Sequence, residues 1–248
     1  MLGFLNTTSP WTWMAFGKHP VAGDFISAGD SLPVLNAFAT WVEKGYQSLK
    51  TAPSLPPFQF WAKGLKKNLI LGSLHDSSDR MGRKFPLMFI GTGTLKQWEK
   101  NWEWLPWMGE KSWRRIDYMA CRRYADLRSL QTDTTAIPAP EPRLSRDAMP
   151  PADDAMPPTA PCYPPMDNVL SQLNQKGSAA FHMEMDHQPH PYDASGHMHS
   201  LLKKAMGPVV PNAVFTAQTA GKLSMVVFTH PLAVEDFSSI IHSVALDG

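Results

Sequence analysis

The stretch "NLILGSLHDSSDRMGRKFPLMFIG", Asn68 to Gly91, sets two apolar runs on either side of a polar, charge-rich centre. "NLILGSL" (Asn68 to Leu74) and "KFPLMFIG" (Lys84 to Gly91) are each too short for a globular helix and carry few charges, so both read as strands, the second largely buried. His75 to Arg83 between them reads as a loop. "PFQFWAKG" (Pro57 to Gly64) upstream has the aromatic content of a further strand, as does "WTWMAFG" (Trp11 to Gly17).

Working outward, the spacing of Leu35, Phe38, Ala39, Val42, Tyr46 and Leu49 predicts an amphipathic helix, with Ser31 as its cap and Pro33 in its first turn. "LKQWEKNWEWLPWM" and "EKSWRRIDYMACRRYADLRSL" read as two more helices, divided near Pro106 and Gly109. Between Gln131 and Met166 fall ten of the 23 prolines, together with the near-duplicate "DAMPPAD" and "DAMPPTA" at Asp147 to Ala160. This segment reads as a mobile Pro-rich linker, because it buries too little to offset its ordering entropy.

Beyond it the pattern predicts helices near Asp167 to Gln175, His199 to Met206 and Val234 to Val244, and strands near Ser178 to Met183, Ala213 to Thr219 and Lys222 to Thr229. Strands on both sides of the linker point to one α/β domain over residues 1–248, with 131–166 inserted within it. The last two strands flank Ala220-Gly221 and form an antiparallel hairpin, so a mixed sheet is expected.

Composition limits function. Lys and Arg number 23 against 22 Asp and Glu, so a net charge of +1 gives no overall attraction for nucleic acid or an anionic membrane. Cys121 and Cys162 form no metal or disulfide pattern, which suits a reducing, cytoplasmic setting. No apolar window reaches the length of a membrane span, and the start lacks the basic-then-apolar order of a signal peptide.

The chemistry-bearing stretches each have a structural reading and a functional one. In "LHDSSDRMGRKFPL", Arg80 and Arg83 could hold an anion with Asp79 orienting one of them, or the three could form an internal ion-pair network. Ser77 or Ser78 with His75 and Asp79 supplies the residue types of a triad, but five adjacent positions converge poorly. In "FGKHPVAGDFIS" (Phe16 to Ser27) the glycines and lysine resemble a phosphate loop without its GxxxxGK[ST] spacing. Asp24 is expected to bond its own turn, with Gly23 at positive φ.

Phe181 to Ser200 holds five of the nine histidines, including His187, His190, His197 and His199, and reads as a polar loop rather than a metal site. The five tryptophans from Trp98 to Trp113 read as core, with a partner or nucleic-acid surface as alternatives.

Two of these stretches carry a family resemblance. "GKHPVAGDF" (Gly17 to Phe25) resembles the G-K-x-P-x-x-G-D-F signature, and "SSDRMGRKFPL" (Ser77 to Leu87) the S-x-D-R-x-G-R-x-F-P-L signature, of the TagF family, also called ImpM, of bacterial type VI secretion. The order between them is similar too: a helix opening with Leu-Pro, then Ala52-Pro53, then "FQFW". The resemblance runs from about Trp13 to Gly91, and "HPLAVEDFSSII" (His230 to Ile241) is similar to the family's ending.

The resemblance implies a three-layer α/β/α sandwich and a cytoplasmic, non-enzymatic accessory protein that needs no cofactor or metal. Such a protein would restrain secretion-system assembly or firing post-translationally by binding a forkhead-associated scaffold protein. Lys18, Asp24, Asp79, Arg80 and Arg83 would then contact that partner or shape the loops that do. The competing reading is a hydrolase for a phosphorylated or acidic substrate, built on Asp79, Arg80 and Arg83.

Overall fold

A computed structural model describes residues 11–51, 54–142, 164–185, 191–219 and 221–245. Its eight strands are β1 (Thr12–Gly17), β2 (Ile26–Gly29), β3 (Phe58–Lys63), β4 (Leu69–His75), β5 (Leu87–Gly93), β6 (Ser178–Glu184), β7 (Ala213–Thr219) and β8 (Lys222–Phe228). They form one sheet in the order β2-β1-β5-β4-β3-β7-β8-β6. Strands from both sides of the Pro-rich segment thus share one sheet, β7 pairing with β3 in the register Phe60 opposite Phe215.

The sheet is antiparallel throughout, which corrects the expected mixed sheet. β1 to β2, β3 to β4, β4 to β5 and β7 to β8 are each neighbours joined by connections without an α-helix, and such connections reverse the chain. The longer, helical connections return the chain beside strands of opposite direction, so no parallel pair arises.

Among the described residues seven α-helices cover the faces: α1 (Pro33–Gln47), α2 (Leu105–Met108), α3 (Glu110–Cys121), α4 (Leu127–Thr135), α5 (Met166–Lys176), α6 (Pro191–Met206) and α7 (Val234–Ala245). Alternation along the strands gives each face its own core. On one face Phe58, Phe60, Ile70, Met88, Ile90, Phe215 and Phe228 meet Leu35 and Val42 of α1 and Phe237 and Ile240 of α7. On the other, Trp61, Leu71, Phe89, Phe181 and Met225 meet Trp113 and Ile116 of α3, Leu130 of α4, Leu173 of α5 and Leu202 of α6.

Four of the five tryptophans from Trp98 to Trp113 are core, and Trp104 is half-buried against them. Trp98, Trp102, Trp107 and Trp113 are all buried, and three of them place the indole N–H on a named acceptor: Trp98 on the Lys67 carbonyl, Trp113 on the Gly72 carbonyl and Trp107 on Asp193 Oδ1, at 2.8 to 2.9 Å. Glycines make room for them. A Cβ on Gly91, Gly109 or Gly196 would collide with the ring of Trp13, Trp113 or Trp107, respectively.

Several boundaries differ from the sequence reading. β2 was not expected, being only four residues long. Helix α1 starts after Leu32 with no side-chain cap, because Ser31 Oγ instead bonds the Asn36 side chain. The first Trp-rich stretch holds a 3-10 turn at Trp102–Trp104 and the short α2 rather than one helix. The second divides at the extended Arg122, and Asp126, whose Oδ1 accepts the Ser129 N–H, caps a separate α4.

Residues 131–135 of the expected linker are therefore helical, and Glu141 is held to Lys111 at 2.8 Å. The repeat at 147–160, Ala52-Pro53, His187 and His190 lie outside the described residues. The histidine-rich stretch is not simply a loop: its start belongs to β6, and α6 opens at Pro191, where a missing N–H costs a helix nothing.

Candidate functional site

The two motif loops leave neighbouring strands at one end of the sheet. Gly17 ends β1 and Leu87 begins β5, and these two residues face each other across the ladder. Gly17 has φ +128, and a Cβ there would collide with the Pro86 carbonyl oxygen. The first glycine of one motif is thus required by the proline of the other. Gly23 lies outside the positive-φ region and faces open space, contrary to expectation; Gly82, at φ +78, is the turn glycine of the second loop.

Asp79 is the hub. Its side chain is fully buried, and Lys18 Nζ lies 3.2 Å from Oδ2 with Lys18 itself nearly buried. Arg83 Nε donates to the same oxygen at 2.6 Å, while Oδ1 accepts the Met81 and Arg83 backbone N–H groups at 2.9 and 3.0 Å. Burial alone would raise this carboxyl; the Arg83 and Met81 amides and the two cations outweigh it and hold it at about 2, below its ordinary 3.8.

The arginines then tie loop to loop. Arg83 Nη2 donates to the Gly23 carbonyl and Arg80 Nη2 to the Val21 carbonyl, both at 2.6 Å, and the Arg80 amide donates to the Ala22 carbonyl at 2.8 Å. Four of the five sequence-selected residues, Lys18, Asp79, Arg80 and Arg83, therefore form one bonded assembly. Asp24 stands apart: it is exposed, and its Oδ1 accepts the N–H of Phe25 in its own turn at 2.8 Å.

Phe25 and Met81 project from this assembly, 43% and 76% exposed. Lys18 sits 5.3 Å from the Phe25 ring centre, so the buried cation also has an aromatic face beside it.

A third segment, absent from the sequence reading of the site, completes the surface. The end of α3 and the turn after it, Ala120 to Tyr124, line a cleft of about 670 Å³ with His19, Pro20 and Val21 of the first loop and Asp76 to Ser78, Gly82 and Lys84 of the second. Asp133 of α4 anchors this third side, accepting Arg115, Arg122 and the Tyr124 hydroxyl at 2.6 to 2.9 Å. Arg122 and Arg123 were legible only as helical residues some forty positions further on.

No catalytic relay forms from the candidates. Asp79 is spent on Lys18, Arg83 and two amides. His75 instead points its Nε2 at Ser73 Oγ, 3.0 Å away, with Asp117 Oδ1 3.7 Å from the same nitrogen. Ser73 donates its proton to the Phe58 carbonyl at 3.0 Å, so it accepts from His75 and has no base behind it. Burial lowers the His75 ring to about 4.

His199 is likewise structural. Its Nε2 accepts the Trp61 indole N–H at 2.9 Å and its Nδ1 donates to the Ser195 carbonyl at 2.7 Å, which fixes the neutral tautomer; burial lowers it to about 4. Among the described residues no group of three or more metal-ligating side chains occurs, and no helix is long and apolar enough to cross a membrane.

Fold and site together define a class: a helix-flanked antiparallel α/β protein whose β1–β2 and β4–β5 loops are bonded into one face through a buried Lys-Asp-Arg hub. Comparison with known proteins narrows it. Residues 14–133, which contain both loops, match the TagF N-terminal domain, described as type VI secretion system-associated.

The crystal structure of PA0076 from Pseudomonas aeruginosa PAO1 superposes with a TM-score of 0.52 over 95% of each chain at 15% identity, and so shares the fold. No curated protein matches the sequence.

Proposed function

We propose that this protein is a non-enzymatic accessory regulator of type VI secretion that restrains assembly or firing of the machine after translation by binding a forkhead-associated scaffold protein. The observation that carries the reading is the match of residues 14–133 to a type VI secretion-associated domain. The geometry supports a binding role for the paired loops. They are braced from within by Lys18, Asp79, Arg80 and Arg83, and they present Phe25 and Met81 to solvent. Aromatic, methionine and arginine side chains on a rigid frame are the composition of interface centres.

In this reading the loops act by shape, and Asp79 serves the frame rather than chemistry. The cytoplasm is where such a protein would meet the scaffold, and no cofactor is required. Deleting the gene in its host and immunoblotting the culture supernatant for the secretion tube protein tests the reading. Increased release, returned to normal by the wild-type gene, is expected; unchanged release would overturn it.

A further inference from the structure

We infer that the cleft between the paired loops and the end of α3 is a docking site for an acidic protein segment, engaged by Arg123 and Lys84. This deepens the binding role proposed above by assigning the chemistry of what is bound. Most cations around the cleft are already committed. Lys18 and Arg83 are spent on Asp79, Arg80 on the Val21 carbonyl, and Arg122 on Asp133. Arg123 lines the cleft, is exposed, and has no ion pair or hydrogen bond among the described residues. Lys84 is half-exposed and reaches Asp76 only at 4.0 Å.

The remaining lining agrees. The side-chain hydroxyls of Ser77 and Ser78 have no hydrogen-bond partner among the described residues, so two more donors face the cleft. His19 adds neither charge nor a free donor: burial lowers its pKa, its Nδ1 accepts the Val21 N–H at 3.1 Å, and it is bonded to the Arg122 backbone. Among the described residues Asp76 is the sole carboxylate of the lining. In a chain whose net charge is +1, this is a local excess of positive charge and donors rather than a reflection of the whole.

Shape selects among anionic partners. A concavity of about 670 Å³ is several times the size of one phosphate or carboxylate and suits a few consecutive side chains. Its cations come from two separate elements, which favours an extended segment with more than one acidic group. Among the described residues no run of exposed aromatics crosses it to stack bases, and a concave site is ill-matched to a bilayer surface. A rim of this kind accelerates encounter and selects partners by charge, and its contribution falls with salt.

The test uses the full chain and fluorescence anisotropy at low salt. The probes are a fluorescein-labelled (Glu-Gly)5 peptide, its (Gln-Gly)5 counterpart and a labelled ten-nucleotide oligothymidylate. Saturable binding of the glutamate peptide alone is expected, weakened at least tenfold in Arg123→Glu/Lys84→Glu. The control Lys176→Glu/Lys204→Glu, with the same change in net charge at exposed positions of α5 and α6, is expected to bind as wild type. Thermal unfolding of both double variants should match wild type.

Three results would overturn the inference: no binding of the glutamate peptide, equal weakening by the two double variants, or tighter binding of the oligothymidylate. Full displacement by inorganic phosphate equimolar with the peptide would also do so, assigning the cleft to a free anion. No scaffold protein is present in this assay, so its failure leaves the secretion reading standing, and a failed secretion assay leaves this one.

Discussion

Lys18 and Asp79 are the residues on which the rest of the face depends. The two are not equivalent: Asp79 is buried against Lys18 and Arg83, so removing its carboxylate leaves the nearly buried Lys18 uncompensated. Asp79→Asn is expected to destabilise the protein by about 3 kcal/mol in urea unfolding, the range for a broken buried pair. Lys18→Met, which removes a charge and keeps the volume, should cost under about 1 kcal/mol, since Asp79 retains Arg83 and two amides. Equal losses would show that the hub is not asymmetric in this way.

The glycines give a second contrast at this scale. Gly17→Ala should destabilise by about 2 kcal/mol or more, because φ is positive and the Pro86 carbonyl blocks the Cβ. Gly23→Ala should change stability by no more than about 0.5 kcal/mol, since its surroundings are open. The motif carries both glycines, and nothing in the sequence separates them; the difference lies in a backbone sixty-nine positions from Gly17. For the same reason the sequence points to a positive φ at Gly23, where the structure has it at Gly17 and Gly82.

At the scale of elements, α6 is fastened to the sheet by His199 and to α2 by the Trp107–Asp193 bond. His199 has an ordinary pKa of 6.5 and about 4 in the fold. A depressed folded value means that the stability it contributes is complete above 6.5 and is lost as pH falls through about 4. His75 acts in the same sense over the same window, and Asp79 adds a later loss between 3.8 and about 2. The melting temperature should therefore fall from pH 6.5 to 4, with a shallower slope in His199→Asn measured by circular dichroism. An unaltered slope would remove His199 from this account.

Elements were also where sequence reading succeeded and failed most clearly. Strands β3, β4, β5, β7 and β8 and helices α1, α5 and α7 lie where their apolar patterns place them, because burial enforces periodicity. β2 is too short to show a period, and α6 opens among residues, His197 and Gly196 included, whose types suggest a loop. Gly196 is there because the Trp107 ring occupies the space of a side chain. Gly196→Ala is expected to lower stability by about 1–3 kcal/mol through that overlap, read from chemical denaturation.

At the scale of the whole molecule, one antiparallel sheet fixes three separated segments at a common end: the β1–β2 loop, the β4–β5 loop and the turn after α3. The first two were legible as a pair because their motifs are local. The third was not, since its partnership with them depends on α3 packing on the sheet and on Asp133 holding Arg115, Arg122 and Tyr124. The antiparallel topology was equally hidden, as connection lengths permit either direction where a helix intervenes.

We propose that this braced face binds a forkhead-associated scaffold protein of a type VI secretion system. Isothermal titration of the purified chain with the scaffold protein of its own host, at physiological salt, tests it most directly. A saturable complex that tightens as salt is lowered is the predicted result. Absence of binding heat across the titration at two temperatures, with both proteins folded, would contradict it.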